Sequence, residues 1–125
     1  MKKILQLLIG LLGVLFLFIG VRWLLDPDTA AHALGMPLLD GIGRSTQIGD
    51  LAAFFLSLGL MIFAGLITGR RVWFYPLVML LCLTALSRWA PWLVNNAALA
   101  TQLIVFELAI AALLYFLSAR IAQSE

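Results

Sequence analysis

The chain has 125 residues, of which 64% are apolar and 11% charged, with a formal net charge of +2 and a mean hydropathy of +1.10. A soluble domain of this size is roughly 45–50% apolar and about 25% charged, because it must clothe its surface for water; this composition excludes that solution and indicates one domain solvated by lipid. Basic residues are few and scattered apart from Lys2-Lys3 and Arg70-Arg71, which argues against nucleic acid, and the single Cys82 excludes an internal disulfide or a cysteine-based metal set.

A helix needs about 20 mostly apolar residues to cross the hydrocarbon, and only helices satisfy their own backbone there. The first such segment runs from about Ile4 to Leu25. With Lys2-Lys3 before it and Ala31-His32-Ala33 after it, the segment has the outline of a signal peptide. Its unbroken run to Val21 exceeds the usual 7–15 residue core, so a retained first span is expected. Asp26-Pro27-Asp28 ends it. Asp26 to Gln47 reads as the one long connection, holding a short helix capped by Asp28-Thr29, running through Leu34 and stopped by Gly35. Its apolar Ala30, Leu34, Met36 and Leu38 are too many for a solvated linker and are expected to lie against the mouth of the bundle.

The second span runs from about Ile48 to Thr68, and Gly69-Arg70-Arg71 makes a tight turn into the third, about Val72 to Ala90. A short connection from Pro91-Trp92 to Asn95-Asn96 leads to the fourth, about Ala97 to Ser118. The expected fold is all-α: a four-transmembrane-helix bundle forming one integral membrane domain, with one long non-cytoplasmic loop between helices 1 and 2. With the N-terminus inside, Lys2, Lys3, Arg70, Arg71 and Arg120 fall on the cytoplasmic side, and Arg22, Arg44 and Arg88 on the other. Trp23, Trp89 and Trp92 then mark the outer boundary, and Trp73 and Tyr75 the inner one.

Charged groups at membrane depth are the informative ones, because they cost energy. Glu107 lies about ten residues into the fourth span, roughly 15 Å deep at 1.5 Å per residue. A carboxylate there costs at least about 2.5 kcal/mol, so it must face protein, be paired or be protonated. On the second span Asp50, Ala53, Ser57, Ala64 and Thr68 share one helical face; on the third Thr84, Ser87 and Arg88 do; on the fourth Ala100, Glu107, Ala111 and Ser118 do. Gly10, Gly13 and Gly20 add close-contact positions on the first, and Arg22 a charge at its rim. These stripes are expected to face the interior. Arg22, Asp50, Ser57, Thr84, Arg88 and Glu107 are therefore the candidate ligand-binding or buried polar cluster. A structural reading pairs Arg88 or Arg22 with Asp50 or Glu107 to hold the bundle; a functional reading makes the cluster a polar pocket. No catalytic set, metal set or cofactor motif is expected. His32, Asp26, Asp28 and Asp40 are read as solvated.

The run Gly43-Arg44-Ser45-Thr46-Gln47-Ile48-Gly49-Asp50, with Phe54-Phe55, Gly59-Leu60, the Leu25-Asp26-Pro27 end of the first span and Arg88 late in the third, resembles a bacterial group. It is domain of unknown function family 4345, grouped with DoxX-like four-helix membrane proteins. The resemblance covers nearly the whole chain and implies a bundle in the bacterial inner membrane; it carries no activity. The expected function is binding of an apolar or amphipathic ligand, lipid or quinone, or service as an accessory subunit of a membrane complex or homo-oligomer. The alternatives are an isomerase-type membrane enzyme using Asp50 and Glu107 as acid and base, and a proton-coupled transporter working as an oligomer.

Overall fold

The computed structural model of the chain describes residues 2–87 and 101–121. Among them the structure is helical, without strands: α1 (Lys2–Leu25), α2 (Pro27–Ala33), α3 (Gly41–Thr68), a 3₁₀ turn (Arg71–Trp73), α4 (Tyr75–Ser87) and α5 (Thr101–Ile121). Arg88, Trp89, Trp92, Ala100, the expected Pro91–Asn96 connection and the start of the fourth span lie outside the described residues, as does the side chain of Ser118. The chain divides into two compact units, Leu7–Phe63 and a second made of Met1–Gln6 with Ala64–Glu125.

In the Leu7–Phe63 unit, α1 ends where proline dictates. Asp26 precedes Pro27 and is non-helical, at φ −143° and ψ 65°, because the proline ring disfavours the helical conformation in the residue before it. Pro27 then opens α2, where its missing N–H costs nothing. Gly35, at φ 76°, closes α2: its N–H donates to the His32 carbonyl at 2.9 Å, and the Met36 N–H to the Ala31 carbonyl at 3.1 Å. That is a Schellman cap, and its left-handed position favours glycine. The helix runs from Pro27 to Ala33, close to the expected extent.

Helix α2 and the segment after it fold over the end of α1. Trp23, Ala30, Ala31 and Ala52 form a buried cluster, with Leu34, Met36, Leu38 and Ile48 packed against it. Met36 and Leu38 are half-buried, as their apolar character requires. Trp23 departs from expectation. It is fully buried, covered by α2, and does not present its ring on the surface as a belt residue would.

Close packing of α1 on α3 rests on glycine. A Cβ on Gly20 would come within 2.6 Å of Leu56 Cγ and 3.0 Å of the Leu56 backbone nitrogen; one on Gly59 would meet Leu17 Cγ at 2.6 Å and the Gly13 carbonyl oxygen at 3.0 Å. The missing side chains let the two backbones approach. The buried face of α3 is thus Ala52, Leu58, Gly59 and Ile62.

In the second unit α4 packs on α5. Leu77, Leu81 and Ala85, spaced four apart, form the buried face of α4; Ile104, Glu107, Ile110, Ala111 and Leu114 form that of α5. Phe74, fully buried, seats its ring on Gly65, where a Cβ would lie 2.6 Å from Cε2.

By length and composition α1 and α3 are each able to cross a membrane; α4 and α5 are apolar over shorter described stretches. The outward faces are apolar along helical stripes, such as Leu7, Leu11, Val14 and Phe18 on α1 and Met79, Leu83 and Leu86 on α4.

Candidate functional site

Helix α3 begins at Gly41, earlier than the expected Ile48. The polar run that reads as loop in the sequence is its first turns, and two of its side chains strap the segment 36–40. Gln47 Oε1 accepts from the Leu39 N–H at 2.9 Å. Gln47 Nε2 donates to the Pro37 carbonyl at 3.1 Å and to Met36 Sδ at 2.8 Å. Arg44 Nε donates to the Leu39 carbonyl at 2.8 Å, and its Nη2 reaches Asp40 Oδ1 at 3.3 Å. A strand-less connection must place its backbone donors and acceptors somewhere; here an amide and a guanidinium one turn apart receive them. Arg44 and Gln47 therefore serve architecture. Gln47 was not among the candidate residues. The legible signal was an amide, able to donate and accept at once, at i+3 from an arginine near a helix start.

The expected interior stripe on α3 is turned outward. Asp50, Ala53 and Ser57 are exposed, with Thr68, whose hydroxyl donates to the Ala64 carbonyl at 2.7 Å. The reason is geometric. Asp50 and Ala52 differ by two positions, about 200° around a helix, and the tight glycine contacts with α1 claim the Ala52–Gly59–Ile62 side. Arg22 is half-buried, with its guanidinium 5.5 Å from the Phe18 ring centre, one turn back on the same helix. It makes no ion pair with Asp50. Within this unit Arg22, Asp50 and Ser57 are not gathered into one polar site.

In the α4–α5 unit, Thr84 is half-buried and its hydroxyl donates to the Leu80 carbonyl of its own helix at 2.7 Å. It needs no partner elsewhere. Ser87 is exposed. Glu107 is the buried charged residue among the described ones, 9% exposed, with Ile104, Ala111 and Leu114 on its face of α5. A carboxyl in such surroundings can hold the hydroxyl or carbonyl end of a largely apolar molecule, or a cation of the protein.

At the start of α4 the structure holds an arrangement that the sequence reading missed. The Arg71 guanidinium lies 5.5 Å from the Tyr75 ring centre and 5.2 Å from that of Tyr115, so aromatic residues of α4 and α5 flank it. Its buried Nε donates to no acceptor among the described residues. The gap in sequence between 71 and 115 hides this contact, which exists only once α4 and α5 lie side by side.

Among the described residues no group of three His, Cys, Asp or Glu side chains is placed to hold a metal. Cys82 is half-buried and free; His32 and Asp26, Asp28 and Asp40 are exposed, as solvated groups would be. No family model, no curated protein and no solved structure matches the chain.

Proposed function

We propose that the chain is a multi-pass protein of a bacterial inner membrane, crossing it about four times with both termini in the cytoplasm, of the DoxX-like kind that its Gly43–Asp50 run resembles. In this reading the α4–α5 unit binds an apolar or amphipathic molecule, a lipid or a quinone, whose polar end meets the Glu107 carboxyl. The observation that carries the proposal is the burial of Glu107 on an α5 whose other faces expose Val105, Phe106, Leu108 and Phe116. A helix greasy on the outside and acidic on the inside suits a lipid solvent, where an intramembrane ionisable group is a functional site by default. In water, apolar faces of this extent would drive association.

The isomerase reading is weaker, because it needs Asp50 as well as Glu107 in a dry site, and Asp50 is exposed. Mass spectrometry of everything that co-purifies in mild detergent tests the proposal. A lipid or quinone held by the wild type and lost from Glu107→Gln is expected. A stoichiometric protein in its place would identify an accessory subunit and contradict the ligand reading. Topology is checked separately by labelling: a cysteine introduced as Asp40→Cys should react only from the non-cytoplasmic side.

A further inference from the structure

We infer that the end of the α4–α5 unit around Arg71 is a binding site for the phosphate of an anionic phospholipid, distinct from Glu107. The inference rests on the membrane reading above.

Three arginines belong to this end of the unit. Arg70 and Arg71 lead into α4, Arg120 lies in the last turn of α5, and the Arg71–Tyr115 contact joins the start of one helix to the final turns of the other. Among the described residues none of the three makes an ion pair with a carboxylate. Cations gathered at one end of a chain this apolar attract an anion from outside it. A guanidinium presents a planar fork of donors that matches a phosphate and carries its full charge throughout the accessible pH range. The two tyrosines fix the position of Arg71, so less side-chain freedom is lost when an anion arrives. Its Nε is covered, which leaves the two Nη groups for the ligand, and Arg71 as a whole is only half-buried. Arg70 and Arg120 are exposed.

The surroundings select a lipid over a free phosphate. Trp73 and Tyr75 are 39% and 44% exposed, and Phe116, one residue beyond Tyr115, is 67% exposed. Amphipathic rings beside cations, with bare apolar surface adjoining, match a headgroup above and acyl chains below. In the proposed orientation this end meets the cytoplasmic leaflet, which carries the negative surface charge.

The test uses the full chain reconstituted in nanodiscs of phosphatidylcholine containing a minor fraction of phosphatidylglycerol, reading annular lipid by native mass spectrometry. Wild type is expected to retain phosphatidylglycerol over phosphatidylcholine. Arg70→Gln should lose about fivefold of that preference, the fold-change that one basic residue near the surface corresponds to. Arg71→Gln should lose about tenfold, and Arg71→Lys, which keeps the charge and loses the fork, should fall between. Equal retention of both lipids by wild type, or an unchanged preference in both Gln variants, would overturn the inference. So would displacement of the lipid by millimolar inorganic phosphate, which would identify a free-phosphate site. Because Arg70 is exposed, its variant remains informative if Arg71→Gln does not fold. Alkaline carbonate extraction of cell membranes separates the two levels: release of the chain into the soluble fraction would defeat the membrane reading itself, whereas retention without lipid preference defeats only this site.

Discussion

The two compact units solve the same problem, burying one side of an apolar helix, with different chemistry. In the Leu7–Phe63 unit the contact is glycine against aliphatic side chains, and the polar residues Arg44 and Gln47 are consumed in fastening a connection. In the other unit a contact face of the same kind contains a carboxyl group, Glu107. One unit spends its polar groups on shape. The other holds a carboxyl on the buried face of α5, among aliphatic side chains. A polar residue on an apolar helix is therefore to be weighed first against the local architecture that can claim it.

The largest expected effect that would sharpen this contrast comes from Gly59→Val. The new side chain must displace Leu17 or push against the Gly13 carbonyl. Overpacking of this kind costs about 1–3 kcal/mol, and the extra branch adds to the strain. Removing a helical glycine returns up to about 1 kcal/mol, so a net loss of about 2 kcal/mol is expected by thermal unfolding in detergent. Ser57→Val, on the exposed side of the same helix, should change stability by less than about 0.5 kcal/mol. Reversal of that order would mean that the polar stripe, and not the glycine stripe, is the buried one.

A smaller effect is expected at the strap. Gln47→Ala removes three hydrogen bonds, one of them to sulfur. At about 1 kcal/mol net for each good bond, the loss should be about 1–2 kcal/mol, with faster amide exchange at Leu39 as its local signature. Unchanged exchange there would show that apolar packing of Met36 and Leu38 alone holds the segment. The smallest effect belongs to Asp40→Asn. Its ion pair with Arg44 is open to solvent at both ends, and such pairs contribute little and are screened by salt. The unfolding midpoint should not move measurably between low and high ionic strength.

Much of the helical layout was legible because apolar run length and proline placement act locally. Asp26-Pro27 and Gly35 marked the ends of α1 and α2 through backbone restrictions that need no tertiary context. The start of α3 was not legible: Gly43–Gln47 is polar, and only contact with the Pro37 and Leu39 backbone explains why it is helical. The choice of face on α3 misled for a related reason. Polar and small residues at one spacing and glycines at another both mark close contact, and the backbone approach to α1 selected the glycines. Glu107 was legible because a carboxylate turned toward lipid is costly on any apolar helix, which directs it to the buried face. Trp23 shows the converse, since its burial depends entirely on α2 folding back over it.

The proposed function turns on whether the buried Glu107 carboxyl meets the polar end of a bound lipid or quinone. Thermal unfolding of purified Glu107→Gln beside wild type, each stripped of bound lipid and then resupplied with the co-purified molecule, tests it most directly. Only the wild type is expected to be stabilised on resupply. Undiminished stabilisation of Glu107→Gln on resupply would contradict the ligand reading and leave Glu107 a purely structural group.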